Sequence, residues 1–228
     1  MKGIKTMIDT IIFDMDGTLL NTLEDLSDSV NHALKHFDFP ARTIEEVRSF
    51  VGNGAAKLIE RAVPNGRENQ LYEDTLSIYK EYYELHCKDK TRPYDGIMSM
   101  LDELCEMGYK LGIVSNKPDT AVKELSRVYF GNRISIAIGG SDKVRKKPAP
   151  DTVYQALKDL SAKADNAVYV GDSDVDIATA ANVPMKCISV TWGFRSRSQL
   201  IDAGADVSRM ITSPREFLPL LQRLSQEG

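Results

Sequence analysis

From Tyr109 onward, short apolar runs alternate with amphipathic helical patterns, and this alternation constrains the fold more than any other feature of the sequence. The apolar runs cover residues 110–115, 134–138, 167–170 and 185–190. The helical patterns have apolar residues three or four positions apart, as at Phe217, Leu220, Leu221 and Leu224. Strands that alternate with helices form parallel sheets with right-handed crossovers and helices on both faces. We therefore predict an α/β fold with a doubly wound, Rossmann-like parallel sheet.

The segment from Leu23 to about Arg92 differs, because its apolar residues follow helical spacing throughout. An apolar run at residues 8–13 precedes it and is predicted to be a first, buried strand of the same sheet. The helical segment is therefore predicted to be inserted after that strand as a small all-helical cap domain. The predicted α/β core comprises residues 1–20 and 93–228, and the predicted cap comprises residues 21–92, with hinges near Asn21 and Arg92–Pro93.

Composition excludes several classes of protein. The chain has 228 residues and a formal net charge of −4, so it carries no basic surplus for nucleic acid or an anionic membrane. Its three cysteines are far apart and form no C-x-x-C pair, which favours reduced thiols. The sequence has no apolar run of transmembrane length and no signal-peptide pattern at its N-terminus. We expect a cytoplasmic protein that is a monomer or a homodimer.

Two aspartates directly follow the first apolar run, in the sequence Asp14-Met15-Asp16-Gly17-Thr18. Carboxylates at the end of a buried strand are costly to desolvate unless a cation meets them. A turn at Gly17 can bring both carboxylates toward one pocket. That arrangement suits a metal ion, with one carboxylate free to attack and the other to move protons. A helix N-cap is the alternative, since Asp is a common capping residue, but a cap explains only one of the two aspartates.

Polar residues also follow the other apolar runs, and open parallel sheets bind ligands at the carboxyl ends of their strands. These residues are Ser115 and Asn116, Lys146 and Lys147, and the stretch from Gly171 to Asp176. Mg²⁺ prefers oxygen ligands, and lysine binds phosphate as a point charge. A hydroxyl, a lysine and several carboxylates at one edge of the sheet therefore predict a site for Mg²⁺ and a phosphoryl group.

Each of these residues has a structural alternative. Ser115 could cap the helix that follows it, and the basic run that ends at Lys147 could be a solvated face. Lys146 is the alternative to Lys147 as the phosphate ligand. Asp176 lies one helical turn beyond Asp172, so it could bind the metal or simply favour the positive end of its helix.

These residues, in this order, resemble the four motifs of the haloacid dehalogenase superfamily of phosphatases. The motifs are Asp14-Met15-Asp16-Gly17-Thr18, then Ser115, then Lys147-Pro148, and finally Gly171-Asp172 with Asp176. The resemblance covers nearly the whole chain, because the helical segment looks like the small helical cap of that superfamily. Within the superfamily the chain is similar to the phosphoglycolate phosphatases in residues 51–55, 114–118, 147–151 and 191–195.

The resemblance implies a mechanism and a role for each motif. Asp14 would attack phosphorus to give an aspartyl-phosphate, and Asp16 would protonate the leaving alkoxide and then activate water. The groups that would bind Mg²⁺ are the Asp14 carboxylate, the Asp16 backbone carbonyl and Asp172, with Asp176 as a further candidate. The groups that would hold the phosphoryl group and substrate are Ser115, the Asn116 backbone N–H, Lys147, Gly17 and Thr18.

The sequence Gly52-Asn53-Gly54 is predicted to contact the substrate from the cap. It forms a turn before a predicted helix at residues 55–62, and the N–H groups at a helix N-terminus can bind an anion such as a substrate carboxylate. The alternative is a tight turn between two helices without a ligand. Lys57 and Arg61 lie one turn apart on the same helix, and either could reach that carboxylate or form surface ion pairs instead.

The sequence thus predicts a Mg²⁺-dependent hydrolase that acts on a small phosphorylated metabolite, with phosphoglycolate as the first candidate. A pyrophosphatase, a nucleotidase and a β-phosphoglucomutase-like enzyme of the same fold are the alternatives. A phosphate-sensing module without catalysis is an alternative from a different class, although the Asp14–Asp16 pair argues against it.

Overall fold

The computed structural model describes residues 7–141 and 144–226. The strands in these ranges are β1 (Thr10–Phe13), β2 (Leu20–Asn21), β3 (Arg92–Pro93), β4 (Lys110–Pro118), β5 (Ile136–Gly140), β6 (Ala167–Gly171), β7 (Lys186–Val190) and β8 (Met210–Ile211). The helices there are α1 (Leu23–His36), α2 (Ile44–Phe50), α3 (Ala55–Ala62), α4 (Tyr72–His86), α5 (Ile97–Glu106), α6 (Asp119–Tyr129), α7 (Asp151–Asp159), α8 (Asp174–Asn182), α9 (Arg197–Asp202) and α10 (Phe217–Gln226). Within the same ranges, no helix combines the length and the apolar composition needed to cross a bilayer.

Within the described residues, six strands form one parallel sheet in the order β5-β4-β1-β6-β7-β8. The chain builds outward from β1 through β4 to β5, and then returns past β1 to build β6, β7 and β8 on the other side. This is the 3-2-1-4-5-6 strand order of a doubly wound sheet. The predicted α/β, Rossmann-like fold is confirmed, and the reversal of direction lies at β1.

The apolar side chains of β1 are buried on both faces of the sheet because β1 is a central strand. Ile11 and Phe13 belong to one buried cluster, which includes residues of α5, α6 and α10. Ile12 belongs to a second cluster, which includes residues of α7 and α8. Successive side chains of a strand point to opposite faces, so a strand covered by helices on both sides reads as a continuous apolar run.

Helices α1–α4, which we call the helical block, lie between β2 and β3 in the chain. β2 and β3 pair antiparallel, with Leu20 opposite Pro93 and Asn21 opposite Arg92. Within the block α1 packs against α2 and α4, and α3 packs against α4. Helix α3 covers the predicted residues 55–62. The division into a core and a cap domain stays a prediction, and the β2–β3 pair lies at the two predicted boundaries.

The structure differs from the sequence prediction at strand ends and in the shortest elements. β1 begins at Thr10 instead of Ile8, and β5 covers Ile136–Gly140 instead of residues 134–138. The sequence prediction also omits the β2–β3 pair and β8, which are two-residue strands. Two residues contain too little periodic pattern to predict a strand, so only pairing with a neighbouring strand defines these elements.

Candidate active site

A small cavity lies at the carboxyl ends of β1, β4 and β6, and we treat it as the candidate active site. The reversal of strand order at β1 leaves a crevice at this edge, where sheets of this kind bind ligands. Residues of the helical block close the opposite side, and the cavity has a volume of about 50 Å³. The residues that line it from the sheet side include Asp14, Asp16, Ser115, Asn116, Lys117, Lys147 and Asp172.

Asp14 follows β1 directly and is 8% exposed. Its backbone N–H donates to the Val170 carbonyl at 2.8 Å, so the pairing with β6 continues to this residue and orients its side chain. Asp14 Oδ1 accepts a hydrogen bond from the Met15 N–H at 2.7 Å and lies 2.9 Å from Lys147 Nζ. Burial raises the pKa of the Asp14 carboxyl well above its ordinary value, and Lys147 opposes this shift. The site thus holds a buried carboxylate that depends on cations for its charged form.

Lys147 is the cation closest to this carboxylate, and its side chain is 2% exposed. Nζ lies 2.8 Å from Asp176 Oδ1 and 3.0 Å from the Tyr169 hydroxyl, in addition to Asp14. The Asn116 side chain holds the lysine backbone, because its Oδ1 accepts from the Lys147 N–H at 2.8 Å and its amide donates to the Lys147 carbonyl at 3.0 Å. Burial alone lowers the pKa of the Lys147 ammonium, but the two aspartates together outweigh it and hold that pKa above its ordinary value.

Asp14, Asp172 and Asp176 each place a carboxylate oxygen within 4.8 Å of the others, and all three residues are buried. Asp172 accepts hydrogen bonds from the Phe194 N–H at 2.7 Å and from the Thr18 hydroxyl at 3.2 Å. Burial raises the pKa of the Asp172 carboxyl to about 7, and the Asp176 charge adds to the shift. Buried like charges with oxygen donors fit a hard divalent cation such as Mg²⁺, which would relieve their repulsion.

Asp176 differs from the other two aspartates of this cluster because its oxygens already have several partners. It occupies the third position of α8 in a capping box with Ser173, whose N–H and hydroxyl donate to Oδ2 at 3.1 and 2.6 Å. Oδ1 accepts from the Tyr169 hydroxyl at 3.0 Å and pairs with Lys147. Asp176 therefore orients Lys147 toward Asp14, whereas its predicted role as a metal ligand stays a prediction.

Asp16 lies apart from this cluster, and its carboxylate pairs with a different lysine. Lys117 Nζ is 3.0 Å from Asp16 Oδ1, and the lysine side chain is 2% exposed. The same ammonium donates to the Tyr83 hydroxyl of α4 and lies 4.5 Å from the centre of that ring. The two aspartates are two positions apart in sequence, but each pairs with a different lysine.

Gly17 and Thr18 lie beside Asp172. A Cβ on Gly17 would approach Asp172 Oδ2 to 2.3 Å, and the Gly17 φ of +82° is in the region that glycine favours. The Thr18 hydroxyl donates to Asp172, as described above. Among the described residues, neither Gly17 nor Thr18 is part of the cavity lining, so their contact with substrate stays a prediction.

The loop that contains Gly52 and Gly54 lines the cavity from the helical block. The Asn116 amide donates to the Gly52 carbonyl at 3.0 Å, and Gly54 precedes α3 with a φ of +82°. Asn53 is absent from the described lining, and its side chain accepts a hydrogen bond from Arg61 at 3.0 Å. Arg61 also donates to a backbone carbonyl at the end of α2, so it braces this loop. The binding roles of Gly52, Asn53 and Gly54 stay predictions.

Burial and contacts separate two pairs of alternatives left by the sequence. Lys147 is buried beside Asp14, whereas Lys146 is exposed. Ser115 lines the cavity, and its hydroxyl accepts a hydrogen bond from the Lys117 N–H at 3.3 Å. No side chain forms a capping hydrogen bond at the N-terminus of α6, so Ser115 does not cap that helix.

Three residues with clear contacts at the cavity are absent from the sequence prediction. Lys117 and Arg195 occur in stretches that carry the family resemblance, but nothing local distinguishes their side chains. Arg195 lines the cavity and donates to the Arg48 and Val51 carbonyls of the helical block at 3.0 and 2.7 Å. Tyr83 has the spacing of a buried residue on α4, and this pattern does not indicate a contact with a lysine of β4.

Comparison with known proteins agrees with this geometry. A family model described as haloacid dehalogenase-like hydrolase matches residues 11–190. The chain is 34% identical over 188 residues to a phosphoglycolate phosphatase of Yersinia pseudotuberculosis, with 81% of each protein covered. It is 32% identical over 216 residues to a phosphoglycolate phosphatase of Pseudomonas savastanoi pv. phaseolicola, covering 92% of this chain and 78% of that protein. The fold is also similar to that of a crystal structure from Lactobacillus delbrueckii subsp. bulgaricus, provisionally named a phosphoglycolate phosphatase, with a TM-score of 0.89. The two sequences are 33% identical, and the match covers 96% of this chain and 99% of that chain. The chain therefore belongs to the haloacid dehalogenase-like hydrolases and is a phosphatase close to the phosphoglycolate phosphatases.

Proposed function

We propose that this phosphatase hydrolyses small phosphomonoesters with the help of Mg²⁺, and that phosphoglycolate is its substrate. The observation that carries the proposal is the buried Asp14 carboxylate, 2.9 Å from Lys147 Nζ and within one acidic cluster with Asp172. The names of the relatives at 32 and 34% identity support the choice of phosphoglycolate.

In the proposed mechanism Asp14 attacks phosphorus and the bond from phosphorus to the ester oxygen breaks. Asp16 gives its proton to the departing oxygen, so the leaving group departs as an alcohol. Asp16 then takes a proton from water, the water attacks the phosphorus of the aspartyl-phosphate, and the bond to Asp14 breaks to release phosphate. A Mg²⁺ ion held by Asp14 and Asp172 would neutralise charge on the phosphoryl oxygens.

The remaining residues of the site position the phosphoryl group. Lys147 lies beside the nucleophile and is held there by Asp176 and by the Asn116 side chain. Ser115 lines the same cavity. Because these groups are already oriented and removed from water, they stabilise the transferring charge without reorganisation, which is the main catalytic contribution in phosphoryl transfer.

The size of the cavity argues for a small leaving group. The cavity between the sheet edge and the helical block has a volume of about 50 Å³, which is room for a few water molecules. Tyr79, Tyr83, Gly52 and Gly54 are among the residues that line it from the helical block. A cavity of this size supports a small leaving group such as glycolate.

A substrate screen tests this proposal directly. Phosphate release would be measured from phosphoglycolate, pyrophosphate, nucleoside monophosphates and β-glucose 1-phosphate, with Mg²⁺ and with a chelator. We expect the highest kcat/KM for phosphoglycolate and loss of turnover in the chelator. A higher value for pyrophosphate or a nucleotide would reject the substrate, isomerised sugar phosphate without release of phosphate would indicate a mutase, and the absence of Mg²⁺-dependent release would favour a sensing module.

The mechanism has a separate test in Asp14→Asn. This change preserves the shape of the side chain but removes the nucleophile, so we expect kcat to fall at least ~10³-fold. Near-normal release of phosphate by the purified variant would reject the aspartyl-phosphate mechanism, even if the wild-type protein prefers phosphoglycolate.

A further inference from the structure

Lys117 is a buried cation at the end of the cavity that the proposed mechanism leaves without a role. It belongs to β4, and its ammonium lies between Asp16 on the sheet side and Tyr83 on the helical block. Burial of a lysine is costly unless the ammonium is paired, so a lysine that is 2% exposed and lines a cavity needs an explanation.

The partners of Lys117 leave part of its binding capacity unused. A lysine ammonium has three N–H donors. Among the described residues, Asp16 and Tyr83 are its side-chain partners, and the Tyr83 phenol is neutral because burial raises its pKa well above the ordinary value. The third donor is therefore available to a ligand in the cavity.

The position of Asp16 places the leaving group beside Lys117. In the proposed mechanism Asp16 gives a proton to the ester oxygen, so this oxygen must lie within hydrogen-bonding reach of the Asp16 carboxyl. Lys117 Nζ is 3.0 Å from that carboxyl. An anionic group one carbon beyond the ester oxygen is therefore within reach of the ammonium.

Three other cations at or near the cavity have partners of their own. Lys147 pairs with Asp14 and Asp176 at the phosphoryl end. Arg195 donates to two backbone carbonyls of the helical block. Lys57, a candidate from the sequence, pairs with Glu60, and its side chain is 44% exposed.

We propose that Lys117 determines substrate specificity by binding a carboxylate on the leaving group, and that Tyr83 holds the ammonium in position. This inference rests on the proposed phosphomonoester hydrolysis. Recognition of the leaving group would then take place at the end of β4, and Tyr83 of α4 would hold the lysine there.

The test uses three phosphate esters of similar size. Each has a two-carbon leaving group, and they differ in the charge of the group at the carbon farther from the phosphate. They are phosphoglycolate, which is anionic there, 2-hydroxyethyl phosphate, which is neutral, and phosphoethanolamine, which is cationic. For Lys117→Gln we expect kcat/KM for phosphoglycolate to fall about 10- to 100-fold relative to the neutral ester, mainly through KM, because a charge-assisted hydrogen bond is lost. Lys117→Arg should retain the preference for phosphoglycolate.

Two further variants make the result specific. Tyr83→Phe leaves the Lys117 ammonium in place but removes the hydroxyl that accepts its hydrogen bond. It should therefore reduce the preference for phosphoglycolate over the neutral ester by a smaller factor. Lys123→Gln removes a lysine from α6 that pairs with Asp119 and is 64% exposed, and it should leave the preference unchanged.

The outcomes separate this inference from the proposed function. If Lys117→Gln lowers turnover of all three esters by the same factor, Lys117 only positions Asp16, and the specificity role is wrong. Equal wild-type kcat/KM for phosphoglycolate and the neutral ester would also overturn it. If the wild-type protein releases phosphate from none of the esters with Mg²⁺, the proposed function itself fails.

Discussion

At the scale of single residues, each of the two aspartates after β1 has its own lysine. Asp14 pairs with Lys147 at 2.9 Å, and Asp16 pairs with Lys117 at 3.0 Å. Lys147 is shared with a second buried aspartate, whereas Lys117 is shared with the neutral Tyr83. The two carboxylates therefore have different surroundings, which is what separate roles as nucleophile and acid–base require.

Gly17 offers a test of how closely the Asp172 carboxylate is packed. For Gly17→Ala we expect a loss of stability of about 1–3 kcal/mol from the positive φ, and a further loss because its Cβ would lie 2.3 Å from Asp172 Oδ2. Displacement of Asp172 should also raise the Mg²⁺ concentration needed for activity. Thermal unfolding and the Mg²⁺ dependence of kcat measure the two effects.

Gly108→Ala is the matched control, because Gly108 has a φ of +80° but no heavy atom within 4 Å of an added Cβ. We expect it to lose the same ~1–3 kcal/mol from backbone strain, without the further loss, and to keep the wild-type Mg²⁺ dependence. An identical Mg²⁺ dependence in both variants would show that the Gly17 contact does not position Asp172.

At the scale of elements, the start of α8 combines a helix cap with part of the candidate active site. Ser173 and Asp176 form a reciprocal capping box, and the same Asp176 carboxylate binds Lys147. We expect Ser173→Ala to lower the free energy of unfolding by about 1 kcal/mol through the lost cap. It should also reduce kcat about 10-fold, because Asp176 then orients Lys147 less firmly.

Ser196→Ala provides the comparison, since Ser196 forms the same kind of capping box with Gln199 at the start of α9. Its hydrogen bonds are exposed, and it does not contact the described acidic cluster. A similar loss of stability with unchanged kcat is expected. If both serine variants lose stability but neither loses activity, the cap of α8 has no role in catalysis.

At the scale of the whole molecule, two side chains of β4 and one of the loop after β7 reach across the cavity to the helical block. Asn116 donates to the Gly52 carbonyl, Lys117 donates to Tyr83, and Arg195 donates to two carbonyls at the end of α2. Closure of the cavity thus depends on polar contacts that can be exchanged with water, while the β2–β3 pair keeps the two connections together. We propose that these contacts open to admit substrate and form again to exclude water.

Mg²⁺ should stabilise the folded protein, because the ion would bind carboxylates that repel one another in the native state. At a concentration 100-fold above Kd the expected gain is about 2.7 kcal/mol, measured as a higher Tm with Mg²⁺ than with a chelator. The Asp172 carboxyl, with its pKa raised to about 7, must lose a proton to bind the ion. The gain should therefore be larger at pH 8 than at pH 6.

Asp172→Asn tests whether the stabilising Mg²⁺ ion binds at the cluster of Asp14, Asp172 and Asp176. Removal of one charge from the acidic cluster weakens a divalent site, so the Tm difference between Mg²⁺ and chelator should shrink. An unchanged difference would place the stabilising ion somewhere other than this cluster.

Much of the fold and several site residues follow from local sequence. The apolar runs and helical spacing predict the parallel sheet, because these periodicities are properties of neighbouring residues. Asp14, Ser115 and Asp172 are predicted from their positions after strands, because the carboxyl ends of parallel strands share one edge. The short β2, β3 and β8 are missed for the opposite reason, since only their pairing partners define them.

Tertiary structure alone decided which charges meet. Lys117 is distant in sequence from both Asp16 and Tyr83, and no local pattern relates them. The double role of Asp176 likewise depends on the crossover that brings Lys147 to α8. The sequence by itself therefore determined the sheet and the polar residues at its edge, because both arise from local periodicity and strand ends. The pairing of each aspartate with its lysine depends on contacts between distant segments, and these exist only once the chain is packed.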